Sequence, residues 1–335
     1  MSLPTSPRTR QRILSPELVA RLVRFRLLAK RRVQGRYAGA HASRRYGASL
    51  DFADYREYVR GDDPRRIDLA AYQRLGRLLV KLYEAEDEAA VRIVVDLSAS
   101  MGFGRKADVA REVTAAFAAL AAAGQDRVRV LLAGAVPTSP TGSLHRGGSP
   151  ETEQLDANSS GAGAGVDAGP WFRGPNALPA VEHRLLGVRP PAPAGAGGEP
   201  PGRADLVTAV RRARGEGPVG PVVLVSDLLF EGVDDVLRAL ASGRGDALVV
   251  HVVGREDLDP SDRGDLRLVD AETGQDVEVG IAEDVLDAYA AARDAWLDEV
   301  EAGCGRQGIS YARVVDDASV EDLVLTTLRA LGVVA

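Results

Sequence analysis

The chain has 335 residues, of which 45% are hydrophobic and 27% charged, and a net charge of -6. That length fits one large domain or two ordinary ones, with enough apolar residues for a sizeable core. Cys304 is the only cysteine, which excludes an intrachain disulfide and agrees with a reducing compartment. The longest charge-free apolar stretch of helical pattern, 113–124, is too short to span a bilayer. The first 30 residues carry arginines throughout and no apolar run with a cleavage site, so a cytoplasmic protein without a signal peptide is expected.

Charge is unevenly spread. Residues 1–60 hold 14 Arg/Lys against 4 Asp/Glu, whereas the remainder holds 28 against 44. A basic arm on an acidic body follows, and packing of that arm on the chain's own acidic surface is the simplest use of it. In chain order, Leu18, Val19, Leu22, Val23, Phe25, Leu27 and Leu28 recur at helical spacing over 16–34. Residues 35–50 read as a loop and 51–60 as a short amphipathic helix or an extended segment. A turn at 61–68 leads to a strand or helix start, and 77–86 alternates like a strand. Residues 91–98, VRIVVDLS, form a nearly continuous apolar run, as in a strand covered on both faces.

The pattern then predicts a helix over 105–123 and a strand over 128–135. Low complexity marks 137–169 and 190–202 as flexible insertion, with a strand predicted between them at 181–188. Helices over 203–214 and 233–242 alternate with strands over 222–229 and 247–253. A hairpin over 265–280 turns around Glu272-Thr273-Gly274. A long helix over 282–303, a strand over 309–315 and a helix over 319–331 finish the chain. This β-α alternation predicts an α/β fold: a mostly parallel, Rossmann-type sheet with helices on both faces, and ligands at the carboxyl ends of the strands. The domain reading is a basic N-terminal helical and β extension over 1–89, then an α/β domain over 90–335 with an insertion at about 137–202.

Two strand ends carry suitable chemistry. One gives Asp96-Leu97-Ser98-Ala99-Ser100, the other Ser226-Asp227. Few charges and several neutral oxygens suit Mg²⁺ or Mn²⁺ that keeps some of its water. Equally open on these residues is a purely structural role, with Asp96 capping the following turn and the serines satisfying backbone groups. A phosphohydrolase using Asp96 and Asp227 is the enzyme alternative. It lacks a second Asp at position 98, and neither a GxSxG elbow, a GxxxxGK[ST] loop nor an HExxH is present. His41, His145, His183 and His251 are scattered, and His251 reads as a core histidine. Upstream, Asp62, Asp63, Arg65, Arg66 and Asp68 crowd both signs into seven residues. Arg–carboxylate pairs that lock a turn or an interface follow from this, and the acidic neighbours weigh against nucleic-acid contact by Arg65 and Arg66, while nucleic-acid binding through the basic N-terminal arm stands as a further alternative.

The run SRRYGASLDFADYREYVRGDDPRRIDLAAYQRLGRLLVKLYEAEDE, leading into VVDLSASM, resembles the domain of unknown function 58 family. Gly47, Phe52, Arg56, Tyr58, Gly61, Asp62, Asp63, Arg65, Ile67, Asp68, Arg74 and Glu86 match the family's pattern. The likeness continues through VVLVSDLL and the hairpin with Asp270, Glu272, Thr273 and Gly274, and covers roughly 40–135 and 202–330. It implies a von Willebrand factor A-like fold with a metal-ion-dependent adhesion site. Ser98 and Ser100 would ligate Mg²⁺ or Mn²⁺ directly, and Asp96 and Asp227 through water. It also implies a non-catalytic protein-binding role beside a MoxR-type AAA+ ATPase or its client, in the assembly or maturation of other proteins. Such sites usually add a Thr where this chain has Ala204, and the neighbouring Asp205 is the available substitute. The family's Trp after Ile-Asp is Leu69 here. The matched Arg56 and Arg74 join the interface or structural set.

Overall fold

The computed structural model describes residues 12–25, 27, 52–60, 62, 64, 67–83, 89–134, 136–137, 165–193, 206–243 and 245–335. Two compact units are present: residues 32–88 form one, and the segments on either side of them form the other.

In the larger unit, six strands make one sheet. They are β3 (Ala90–Asp96), β4 (Arg127–Ala133), β6 (Val166–Arg173), β8 (Val222–Ser226), β9 (Ala247–Val253) and β12 (Ser310–Val315), in the order β12-β9-β8-β3-β4-β6. The first five in that order are parallel and β6 is antiparallel to β4. Every residue of β3, β8 and β9 is buried, as expected for strands covered on both faces. Two-residue alternation splits them cleanly. Val91, Ile93 and Val95 face one core with Val223, Val225, Val250 and Val252; Val94, Leu224 and Val249 face the other. By the same alternation Asp96, Ser226 and His251 share the second face at its carboxyl edge.

Helix α3 (Lys106–Ala123) lies in the first core and is buried on all sides over 113–121. It is wrapped by the sheet, by α1 (Pro16–Leu22) and α4 (Ala177–Leu186), and by α9 (Val320–Asp322) with the π-helical turn Leu323–Leu328. Its small alanines let these neighbours come close. The second core takes α5 (Leu206–Gly215), α6 (Val233–Ala241) and α8 (Glu283–Arg306). A hairpin of β10 (Gly264–Val269) and β11 (Asp276–Ile281) and a single turn, α7 (Arg255–Leu258), complete this side, with a two-residue pairing of β5 (Val136–Pro137) and β7 (Val188–Arg189) beyond the sheet.

Several expectations need correction. Of the segment 181–188, residues 181–186 are helical and only Val188 is strand, because Ala177, Val181 and Leu185 form a buried stripe at four-residue spacing while Glu182 accepts hydrogen bonds from the Ile13 and Leu14 amides. Part of the supposed insertion, 166–173, is the antiparallel edge strand, held to α4 by the Arg184–Asp167 ion pair at 2.7 Å. Its Pro170 fits there because an edge strand need not donate from every amide. Residues 138–164 lie outside the described residues. The first helix spans only Pro16–Leu22; Leu14 and Leu22 are core residues and Arg21 pairs with Glu321. This part of the basic arm therefore packs on the chain's own body.

The smaller unit pairs β1 (Phe52–Glu57) antiparallel with β2 (Leu79–Tyr83), and Ile67 bridges Val80. Residues 52–57 are thus extended, not helical. Asp68 caps α2 (Leu69–Leu75), its Oδ1 accepting the Ala70 and Ala71 amides at 2.9 and 3.0 Å, and its Oδ2 accepts the Tyr55 hydroxyl at 2.7 Å. Asp62 accepts from Arg56 at 2.8 Å and from the Val59 amide at 2.9 Å. Arg56, Asp62 and Asp68 therefore lock local turns, as the paired charges suggested. Arg74 sits exposed in the last turn of α2, where a cation complements the helix dipole. Asp63, Arg65 and Arg66 lie outside the described residues. Removing the Asp68 cap with Asp68→Ala is expected to cost about 1–2 kcal/mol locally. Hydrogen exchange at the amides of 69–75 should accelerate about tenfold or more, and unchanged exchange would refute the cap's role.

Candidate metal-binding site

The chain reverses its direction of travel across the sheet at β3 and β8: from β3 it moves to β4, and only later returns to lay β8 on the other side. Loops at such a switch point part above the sheet and leave a crevice. Asp96 and Asp227 end or follow the two flanking strands, and the turn after Asp96 brings up Ser98 and Ser100.

Asp96 is 1% exposed. Its Oδ1 accepts the Ser98 amide at 2.9 Å and its Oδ2 the Ser226 hydroxyl at 2.6 Å. Burial, reinforced by the Asp227 charge, pushes the Asp96 carboxyl up to about 7, against the pull of these hydrogen bonds. Ser98 and Ser100 hydroxyl oxygens lie 3.0 Å apart, and the Ser100 hydroxyl donates to Asp227 Oδ1 at 3.4 Å. Neither serine hydroxyl is spent on the backbone in these bonds. Asp96 does hold the turn, as the structural reading had it, but the serines remain available as oxygen donors.

Asp227 is set from three sides. Lys106 Nζ donates to its Oδ2 at 2.9 Å and to Asp257 at 3.1 Å. Lys106 and Asp227 are each 2% exposed. Burial draws the ammonium pKa down, but Asp227 and Asp257 outweigh it and hold the group above its ordinary value. His251 Nε2 donates to the Asp227 carbonyl at 2.9 Å, which leaves Nδ1 to accept the Tyr311 hydroxyl at 2.9 Å. Burial pushes this imidazole down to about 4, so it is neutral in the fold. His251 is a satisfied core residue, as expected. Leu228 takes a left-handed φ of +54°, a strained value for a branched residue, while its amide donates to Ser226 Oγ. That kink turns the chain sharply just after Asp227. Asp227 and Asp257 also edge a groove of about 410 Å³ whose walls include Leu228, Phe230, Tyr289 and Trp296.

From the other direction comes Glu272, at the tip of the β10–β11 hairpin. Its Oε1 accepts the Ser100 amide at 2.9 Å, while Oε2 is buried with no hydrogen-bond partner. Asp205 and Ala204 lie outside the described residues. The structure thus brings together Asp96, Ser98, Ser100 and Asp227. It adds Lys106, Asp257 and Glu272, which the strand-end pattern did not assign, and gives Ser226, named there with Asp227, its role as a donor to Asp96. Lys106 did carry a signal: it is one of three lysines in a chain otherwise built on arginine, and it opens a helix, where the dipole disfavours a cation.

These oxygens fit a small divalent cation. Adjacent ligands on an octahedral ion with bonds of about 2.1 Å are separated by about 3.0 Å, which is the spacing of the two serine oxygens. Asp227 Oδ1 accepts from the Ser100 hydroxyl at 3.4 Å beside this pair. Among the described residues the Lys106 ammonium meets Asp227 and Asp257, whereas Asp96 and Glu272 accept from the serine turn instead. Among the described residues no three His, Cys, Asp or Glu side chains form a metal cluster; the hydroxyl pair distinguishes this set.

Replacing Lys106 with Met removes the only cation from two carboxylates and should destabilise the protein by about 3–5 kcal/mol. Urea unfolding would show it, and a change below 1 kcal/mol would deny the pair its role. The pH dependence has a definite sign. Because the folded Asp96 pKa lies above its ordinary value of 3.8, the carboxyl's contribution is present below about pH 4 and lost as pH rises through about 7. His251 acts oppositely, with stability lost as pH falls from about 6.5 towards 4. In chelator, Asp96→Asn should therefore gain on the wild type by on the order of 2 kcal/mol between pH 5 and pH 8. A constant difference in unfolding free energy would contradict this.

The family described as protein of unknown function DUF58 matches residues 54–146 and 169–296. The uncharacterized proteins Rv1480 of Mycobacterium tuberculosis and Mb1516 of Mycobacterium bovis are each 30% identical over 302 residues, covering 87% of this chain and 83% of theirs. A crystal structure of the conserved hypothetical protein BatB from Bacteroides thetaiotaomicron covers 73% of this chain and 98% of its own, with a TM-score of 0.37 and 13% identity, too low for anything to be carried over. Among the described residues no helix is long and apolar enough to cross a membrane. By family match and by relatives alike, this chain belongs to the DUF58 family.

Proposed function

We propose that the chain is a non-catalytic protein-binding module with an A-domain-like adhesion site, docking a MoxR-type AAA+ ATPase or its client in the cytoplasm. The observation that carries this reading is the Ser98–Ser100 hydroxyl pair, 3.0 Å apart and facing Asp227 at the switch point of the sheet. Ser98 and Ser100 would hold Mg²⁺ or Mn²⁺ directly, and Asp227 and Asp96 through water. Such an ion supplies a Lewis-acidic position that an oxygen of a partner can take.

The chain's own residues do the positioning. Asp96 has both oxygens committed, to the Ser98 amide and the Ser226 hydroxyl, so it orients the serine turn and is poorly placed to attack a phosphate. Lys106 and His251 fix Asp227 through its carboxylate and its carbonyl. Neutral serine ligands leave much of an ion's charge uncompensated, which favours capture of an external acidic group.

Calorimetry tests both halves. Mn²⁺ should bind the wild type and bind the Ser98→Ala/Ser100→Ala variant at least about tenfold more weakly. A purified MoxR-type ATPase from the same organism should bind only with Mg²⁺ or Mn²⁺ present. ATPase binding that persists in chelator would move the docking surface elsewhere.

A further inference from the structure

The β10–β11 hairpin is mostly exposed on both faces; Leu268, Val269 and Val277 are 46%, 43% and 54% exposed. Little apolar burial holds its tip down. Yet the tip carries a carboxylate into the serine turn: Glu272 Oε1 accepts the Ser100 amide, and Oε2 is buried without a partner. An unpartnered buried carboxylate oxygen is costly, on the order of several kcal/mol, unless something cationic meets it. The tip is shaped to present it, since Asp270 Oδ1 accepts the Glu272 amide at 2.9 Å, the Thr273 amide at 2.7 Å and the Thr273 hydroxyl at 2.8 Å. The Lys106 ammonium is spent on Asp227 and Asp257.

We infer that Glu272 is the chain's own carboxylate ligand for a divalent cation held by Ser98 and Ser100, and that cation binding thereby fastens the hairpin to the site. This rests on the reading of the serine pair as a metal site. With Glu272 in place, the position open to a partner's oxygen is filled from within, and the hairpin becomes a strap whose release exposes it. The isolated strap has little else to keep it docked, so its order should follow the ion.

The test uses the full chain, Mn²⁺ alone as probe, and two readouts: affinity by calorimetry, and hydrogen exchange of residues 264–281 with and without Mn²⁺. Glu272→Gln keeps the shape and removes the charge. Glu278→Gln removes the same charge from an exposed position on the same hairpin. Expected are a loss of Mn²⁺ affinity of about tenfold or more in Glu272→Gln, little change in Glu278→Gln, and Mn²⁺-dependent protection of the hairpin in the wild type that Glu272→Gln abolishes. Mn²⁺ binding that needs Ser98 and Ser100 but is equal in wild type and Glu272→Gln, with hairpin exchange indifferent to the ion, overturns this inference and leaves the metal site standing. No Mn²⁺ binding to the wild type overturns both.

Discussion

A buried ammonium–carboxylate contact organises this molecule's strand-end face. Lys106 begins the helix after β3, Asp227 follows β8, and the two meet at 2.9 Å with each 2% exposed. Burying either charge alone is prohibitive, so the first turn of α3 and the end of β8 are obliged to stay together. That obligation fixes the width of the crevice in which the serine turn sits. Asp257 shares the same ammonium at 3.1 Å and brings the turn after β9 into the arrangement. Three neighbouring β–α junctions are thus indexed to one nitrogen.

The energetic character of the face follows from this arrangement. The ammonium is shared by two carboxylates, and the deeply buried Asp96 is pushed up to about 7 by burial and by Asp227. Backbone strain at Leu228 and an unpartnered oxygen on Glu272 lie within the same few residues. Strain and unmet charge are thus gathered at one edge of an otherwise well-packed sheet. At the opposite edge the one buried arginine of β3 is fully answered: Arg92 donates to the Ala90, Glu216 and Pro218 carbonyls and lies over Trp171.

Much of this was legible in the residues. Nearly continuous apolar runs at 91–95, 222–225 and 247–253 suit strands covered on both sides, so the parallel centre of the sheet and its helical layers followed directly. Asp96, Ser98, Ser100 and Asp227 were accessible because strand ends in such sheets are where ligands bind. The antiparallel edge strand at 166–173 was not. Its glycine, proline and exposed positions resemble the low-complexity segment before it, and only pairing with β4 makes it a strand. Residues 181–188 misled for a related reason, since a short apolar run fits either period until a partner surface is known.

Local chemistry therefore determined most of the element types, the two-sided burial of the central strands, the capped turn at Asp68 and the oxygen-rich turn after Asp96. Each depends on residues close in sequence, whose spacing acts through backbone geometry alone. Tertiary structure decided which distant charges meet. Lys106 finds Asp227 across 121 residues, and Glu272 reaches the Ser100 amide across 172. No local pattern encodes such pairs, because they arise only when the sheet order places β8 beside β3 and the hairpin tip above the same crevice. Coulombic and hydrogen-bond energies act through space, and the fold alone sets those distances.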